Sequence, residues 1–287
     1  MNENKLPSPE FEPEEPRRSS VRAVSVIIVA ALLLVGLGAR GLLRRSARGG
    51  DMSCVITEPF RDVSIQTVSS DVIFTVGGDS CAVEYRGPSR MACTAEVKNG
   101  ALVIEEKTTR RWPLVLGLFE DRGNRLTVSL PREAYDALSV ETVSGDIEMP
   151  DGGVFEDLEM TTVSGDVALS GTEDGDVTVE TVSGDVQIRD GSLESLSLNT
   201  ASGDQTVTSV LADGRMELST VSGGISLLAS DAESLEISSI SGDVYTLLLT
   251  PKEYVTDTAS GDVTIIASRQ GPGRCGITTV SGDILCE

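Results

Sequence analysis

The sequence contains no histidine. That removes the side chain that most often acts as a general base or metal ligand near neutral pH, and with it any Ser-His-Asp arrangement. Aromatic residues make up only 3% of the chain, with a single tryptophan. Basic residues are scarce in the second half, where residues 141–287 hold 27 Asp and Glu against 5 Lys and Arg. Residues 1–140 balance at 18 against 18, so residues 141–287 carry the whole net charge of −22. Such a surface repels phosphate backbones, which excludes nucleic acid as a partner. It also repels an anionic membrane or wall polymer unless cations intervene, and attracts cationic partners. No phosphate-binding loop, dinucleotide fingerprint or Cys-x-x-Cys pair is present, and no cofactor is implied. Acidic pairs such as Asp174 and Asp176 are of the type that hydrolyses glycosidic bonds, but no pair stands out from the acidic background.

What the chain does have is a repeat. Thr142-Val143-Ser144-Gly145-Asp146-Ile147 recurs from Thr162, Thr181, Thr200, Thr220, Ser239, Thr258 and Thr279. Its serines, from Ser144 to Ser281, are spaced by 20, 19, 19, 20, 19, 19 and 21 residues. A fixed period near twenty marks a solenoid. Before each corner, residues such as Leu158, Met160 and Thr162 alternate with polar ones. After it, Val167 and Leu169, or Val186 and Ile188, resume the alternation. Period-two alternation is a strand with one buried face. Each repeat therefore reads as two short strands joined at a Ser-Gly-Asp corner, with a polar return such as Ser170–Gly175. One coil cannot bury its apolar face alone, so the coils stack in parallel ladders roughly 4.8 Å apart. The expected fold is an all-β solenoid of stacked 19–20-residue coils. Glycine at the corner suits a tight turn or a positive φ.

Stacking would bring Asp146, Asp166, Asp185, Asp204, Asp243, Asp262 and Asp283 into one file, interrupted by Gly224. Two readings are open: each carboxylate accepts a backbone N–H in its own turn, or the file is bridged by cations. Calcium-binding repeats bring denser oxygen ligands than one Asp per twenty residues, which favours the turn. The Ser and Thr files likewise either present hydroxyls to a glycan or fill a tight corner and hydrogen-bond along the stack.

Residues 1–22 carry Pro7, Pro9, Pro13 and Pro16 among Glu10, Glu12, Glu14 and Glu15, the composition of a disordered tail. Residues 23–43 are uncharged apart from Arg40 and predominantly apolar. About 20 such residues span a bilayer core, so this segment is expected to be a single transmembrane helix with the lipid bilayer as its partner. Residues 44–50 form a basic, glycine-containing linker. Arg17, Arg18 and Arg22 on one side nearly balance Arg40, Arg44, Arg45 and Arg48 on the other, so flanking charge does not orient the helix.

Residues 51–137 read as a less regular β entry region, with a degenerate repeat at Thr67-Val68-Ser69-Ser70-Asp71, and residues 138–287 as the regular solenoid. Cys81 and Cys93 are equidistant from Gly87 in an expected hairpin turn, which suggests a cross-strand disulfide. Cys275 and Cys286 lie on the two strands of the last repeat, a second possible pair, and Cys54 is left over. Two pairs suit an oxidising compartment and an extracytoplasmic solenoid on a cell membrane. Between two entry strands, Arg110, Arg111, Trp112, Leu114, Leu116 and Phe119 form a concentrated apolar and basic loop. It either meets a membrane surface or partner, or folds back over the end of the solenoid.

Leu126-Thr127-Val128-Ser129-Leu130-Pro131, followed by Leu138-Ser139-Val140-Glu141 and the first Ser-Gly-Asp-Ile, resembles a bacterial β-strand-repeat family of unknown function labelled "putative adhesin". The resemblance covers about residues 51–287. It implies a β-solenoid at the cell envelope, often behind a membrane anchor, with no catalytic residues to carry over. Gly224 in place of Asp, Gln205 in place of an apolar residue and the Trp112 loop depart from the pattern. The leading functional expectation is a non-enzymatic, membrane-anchored surface for an envelope protein or glycan. A sensory role for the anchored solenoid and a polysaccharide-acting enzyme are the alternatives.

Overall fold

A computed structural model of the chain describes residues 50–89, 91–108, 123–150, 152–266 and 273–287. The acidic tail, segment 23–43, most of the linker and the Arg110, Arg111, Trp112, Leu114, Leu116 and Phe119 loop lie outside the described residues. Among the described residues no helix is long and apolar enough to cross a membrane.

The strands in chain order are β1 (Met52–Ile56), β2 (Asp62–Gln66), β3 (Asp71–Val76), β4 (Cys81–Arg86), β5 (Met91–Lys98), β6 (Ala101–Thr108) and β7 (Arg125–Leu130). There follow β8 (Ala134–Thr142), β9 (Ile147–Met149), β10 (Val154–Ser164), β11 (Val167–Ser170), β12 (Glu173–Ser183), β13 (Val186–Ser202) and β14 (Gln205–Ser222). The last are β15 (Ile225–Ser241), β16 (Val244–Leu248), β17 (Glu253–Ser260), β18 (Val263–Ile265), β19 (Arg274–Ser281) and β20 (Ile284–Cys286). They form a β-solenoid of stacked parallel coils. Alternate residues of each strand enter one continuous core, among them Leu158, Met160, Val167, Leu169, Leu198, Val207 and Leu218.

The coil has three walls rather than two. The polar return, expected to link two strands per repeat, is itself hydrogen-bonded between coils, with Gly191 paired to Val210, Ser192 to Leu211 and Leu193 to Ala212. That is why β13, β14 and β15 each run 17 or 18 residues, bending at corners without leaving the ladder. One of these corners stacks Gly171, Asp190, Ser209 and Ala229, all at φ between 48° and 68°. The 19- and 20-residue repeats are reconciled on the return, where the register slips by one residue between Leu193 and Leu196 as β13 meets β14 and again between Ala212 and Arg215 as β14 meets β15.

Corner glycines set the stack. A Cβ on Gly184 would lie 2.0 Å from the Gly165 carbonyl oxygen, and one on Gly242 1.9 Å from that of Gly223. Atoms that close cannot coexist, so glycine is needed for backbone-to-backbone approach. Gly184 and Gly242 take no positive φ, whereas Gly203, Gly223, Gly261 and Gly282 at the same corner stand at φ between 144° and 156°, so close approach is joined by a positive φ in part of the stack.

Coil order in space departs from chain order at both ends. β19 pairs with β15 on one side and β17 on the other, and β20 sits likewise between β16 and β18. The last repeat is thus inserted beneath the one before it. At the other end β2 lies between β6 and β8, and β3 between β7 and β9. Beyond β6 and β7 the parallel stack stops, closed by antiparallel β5 on β6, β4 on β7 and β1 on β4.

Each crossing is held by a buried charge. At the corner between β2 and β3 the Asp71 N–H donates to the Asn124 carbonyl at 3.0 Å, and Glu106 serves the donors before it: its carboxylate accepts the N–H groups of Val68 and Ser69 at 2.7 and 3.1 Å, and the hydroxyls of Ser70 and Tyr85 at 2.8 Å each. Burial and the adjacent Glu106 charge push the Tyr85 phenol well above its ordinary range. At the far crossing the Lys252 ammonium donates to the Asp231 carboxylate and to the Ala232 carbonyl, both at 2.7 Å. Burial alone would raise Asp231, but hydrogen bonds from Lys252 and Thr250 and the Lys252 charge outweigh it and hold the carboxyl below its usual range.

Two substitutions test these constraints. Gly184→Ala should lower stability by about 3 kcal/mol, because two backbones must move apart; an unchanged melting temperature would show that the corner gives. Lys252→Ala should cost about 3–5 kcal/mol, by leaving a buried carboxylate without its cation, whereas Lys252→Met with Asp231→Leu should recover most of it. Because Asp231 is depressed in the fold, its contribution is complete above its unfolded value of about 3.9 and is lost as pH falls through the folded one. Acid unfolding of the double variant should be shallower.

Candidate functional site

The aspartate file forms, but its hydrogen bonds run between coils. The N–H of Asp166 donates to the Asp146 carboxylate at 2.9 Å, that of Asp185 to Asp166 at 2.8 Å, and that of Asp204 to Asp185 at 2.8 Å. Asp71 begins the file, accepting from Asp146 at 3.2 Å. At the other end Asp283 donates to Asp243, and Asp262 to Asp283, each at 2.9 Å. The acceptor expected within one turn therefore serves the next coil instead. A hydrogen bond to a charged acceptor contributes about 1.5–3 kcal/mol, whereas neighbouring exposed carboxylates one coil apart repel by about 1 kcal/mol. The file is favourable without a cation, and no metal-ligating group of three or more side chains converges among the described residues. Gly224 donates to Asp204 at 2.7 Å but returns nothing to Asp243, which breaks the file.

The motif threonines are buried and offer nothing to a glycan. Thr142, Thr162 and Thr181 are fully enclosed, and their hydroxyls have no hydrogen-bond partner among the described residues. Bonding along the stack, expected from the sequence, does not occur. The motif serines lie on the outside instead, with Ser164, Ser183, Ser202 and Ser222 exposed beside the aspartates. Gln205 enters the core, where its amide donates to the Ser219 carbonyl at 2.7 Å.

All five cysteines are free thiols in this structure. The hairpin that would set Cys81 against Cys93 does not form, because β4 pairs with β1 and β7 while β5 pairs with β6. Burial, with the nearby Glu106 charge, pushes the Cys93 thiol up to about 12. Cys275 and Cys286 face the core of one coil, but that coil lies inside the stack, so they do not staple its end.

The feature that single positions did not announce is a groove. Three shallow depressions of about 560, 530 and 500 Å³ run end to end along the return corner. The first two share Glu173, Gly175 and Glu194, and the last two share Asp213. Asp136 and Glu156 extend the carboxylates towards one end and Glu233 towards the other. The two cations bordering it are already engaged: Arg61 meets Asp136 at 2.8 Å, and Lys252 meets Asp231. Tyr135 lines the first depression, stacked between Phe60 and Phe155 with ring centroids 5.8 and 5.5 Å away. The signal is present as acids recurring at the coil period, at Asp136, Glu156, Glu194, Asp213 and Glu233, with Gly175 standing in the coil between Glu156 and Glu194. Elsewhere, burial and the Glu159 charge raise Glu141 and Glu180. These two stand on the outer wall, and none of the three depressions includes them.

The family profile described as Toastrack DUF4097 matches residues 60–287. A solved Bacteroides fragilis protein described as a "putative adhesin" is similar at 15% identity and a TM-score of 0.55, covering 83% of this chain and 97% of its own. That likeness shows a shared fold. A Parabacteroides distasonis "putative lipid binding protein" is similar at 16% identity and a TM-score of 0.45, covering 85% and 97%. A second protein from that species, described as a "putative adhesin", reaches 9% and 0.41, covering 82% and 97%. These two are too distant in structure to carry an argument. No curated protein matches the chain.

The break at Gly224 generates a test of the aspartate file. A Cβ there would stand 3.6 Å from the Asp204 carboxylate and 3.7 Å from the Asp243 carbonyl oxygen, which is ordinary contact. Gly224→Asp should therefore fit, accept the Asp243 N–H and raise stability by about 1 kcal/mol after repulsion. The gain should grow with salt; a loss of stability in thermal unfolding would refute the account of the file.

Proposed function

From the premise that this chain belongs to the Toastrack DUF4097 family, we propose that it is a membrane-anchored protein of the cell envelope whose solenoid is a non-enzymatic interaction surface. The observation that carries this reading is the acidic groove on a rigid stack. Coils fixed by backbone contact hold its carboxylates at fixed positions, so a ligand meets a surface that needs little reorganisation. A partner fitting it is extended and cationic: a basic peptide segment of an envelope protein, or an amino-bearing glycan. Attraction of this kind concentrates the partner and speeds its encounter more than it tightens the final complex. The apolar run at 23–43 supports the anchor.

Full-length protein in nanodiscs, titrated with fluorescent oligolysine, tests the groove. Oligolysine should bind with an affinity that falls as salt rises, and Glu173→Gln, Glu194→Gln and Asp213→Asn together should weaken it about tenfold. Equal binding by the triple variant would remove the groove from the reading, and no binding would remove the cationic partner. For location, Val280 is 52% exposed while four of the five native cysteines are buried. Val280→Cys should be labelled by an impermeant thiol reagent on intact cells; labelling only after lysis would place the solenoid inside.

A further inference from the structure

The two ends of the stack are finished differently. One is closed by antiparallel β5, β4 and β1. At the other, β17 and β18 have a partner on their inner side only among the described residues, which leaves the backbone of the outermost coil without a described ladder on its outer edge. The core also surfaces here. Val263, whose counterparts Val244 and Ile284 are buried, is 40% exposed, and Tyr254 is half-buried above Cys275 and Cys286. Val255, Val263 and Ile266, all in this outermost coil, are exposed large apolar residues. Asp262, last in the aspartate file, is the one member of it with no further coil to accept from. A regular open edge with exposed core is a template for another strand.

We propose that this end is the contact for a second copy of the same chain, joined end to end across a twofold axis. This deepens the interaction reading above and rests on it. The closed end does not repeat the coil outline; another open end does. Two identical ends meet about a twofold axis, which sets β17 antiparallel to its copy. Centred on Thr256, that pairing opposes Tyr254 to Thr258 on the core side. On the outer side it opposes Val255 to Asp257 and Glu253 to Ala259. No acid faces an acid, although the strand carries two, whereas a like pair directly opposite would be destabilising. The contact extends the aligned ladders and covers Tyr254 and Val263. Net charge opposes it at long range, and salt screens charges more than about 8 Å apart at physiological strength. Association therefore tightens as salt rises, opposite to the groove's cation binding.

Sedimentation of the full-length protein in detergent should show a concentration-dependent dimer. Val255→Glu sets a carboxylate against Asp257 twice and should weaken the dimer about tenfold or more. Adding Asp257→Lys to that variant turns both contacts into opposite-charge pairs and should restore it. Thr256→Cys, which meets its own copy at the axis, should cross-link on mild oxidation. A monomer at every concentration overturns the proposal, and so does a dimer that Val255→Glu leaves intact or that Asp257→Lys fails to rescue. Oligolysine binding by Val255→Glu should match the unaltered protein, so loss of the dimer and loss of the groove are read separately.

Discussion

The contact on which the structure depends is backbone against backbone at the glycine corners. With a carbonyl oxygen about 2 Å from where a Cβ would stand, adjacent coils hold one separation and one lateral register. Other features follow from that fixed step. An aspartate carboxylate reaches the N–H of the next coil because the step matches its length. Threonine is enclosed beneath the corner because the corner cannot open. The motif thus encodes neighbouring coils' contact with each other more than the shape of any one turn. Ser70 shows the converse. It takes the corner position that stacks against Gly145, and on its other side a side chain fits and bonds Glu106.

Identical outlines explain why chain order and spatial order diverge. If every coil presents the same edge, a later repeat fits beneath an earlier one as well as above it. Only the connecting segment decides, and at both crossings it is tied by a buried charged group. Such groups are poor sources of net stability, since desolvation offsets their attraction. Their value here is in selecting one order among several with equivalent ladders.

The same reasoning accounts for what could be read in advance. Strand positions, corners and core faces were visible because spacing and alternation report them directly. The third wall was hidden because its residues, such as Asp190-Gly191 and Ala229-Ser230, have turn composition although they pair as strand. Coil order was invisible because equivalent edges carry no address. Cys81 and Cys93 misled through symmetry about Gly87, which means contact only if the flanking strands pair. Glu106 is a single residue without a pattern. Glu194, Asp213 and Glu233 were lost in a uniformly acidic background, although their spacing of one coil made them a file.

A stack of equivalent coils carries a hazard, since any open end can template the next chain without limit. Growth without limit needs two open ends, or a head that fits a tail. Here the antiparallel strands at one end do not repeat the coil, so addition can occur only at the other. Two chains joined there consume both open edges, and the assembly is closed. The charge of residues 141–287 acts in the same direction, because lateral approach of two such walls sets many carboxylates face to face, whereas an end presents few. Capping one end and charging the sides therefore turns a fibre-forming architecture into one that associates once, along its own axis.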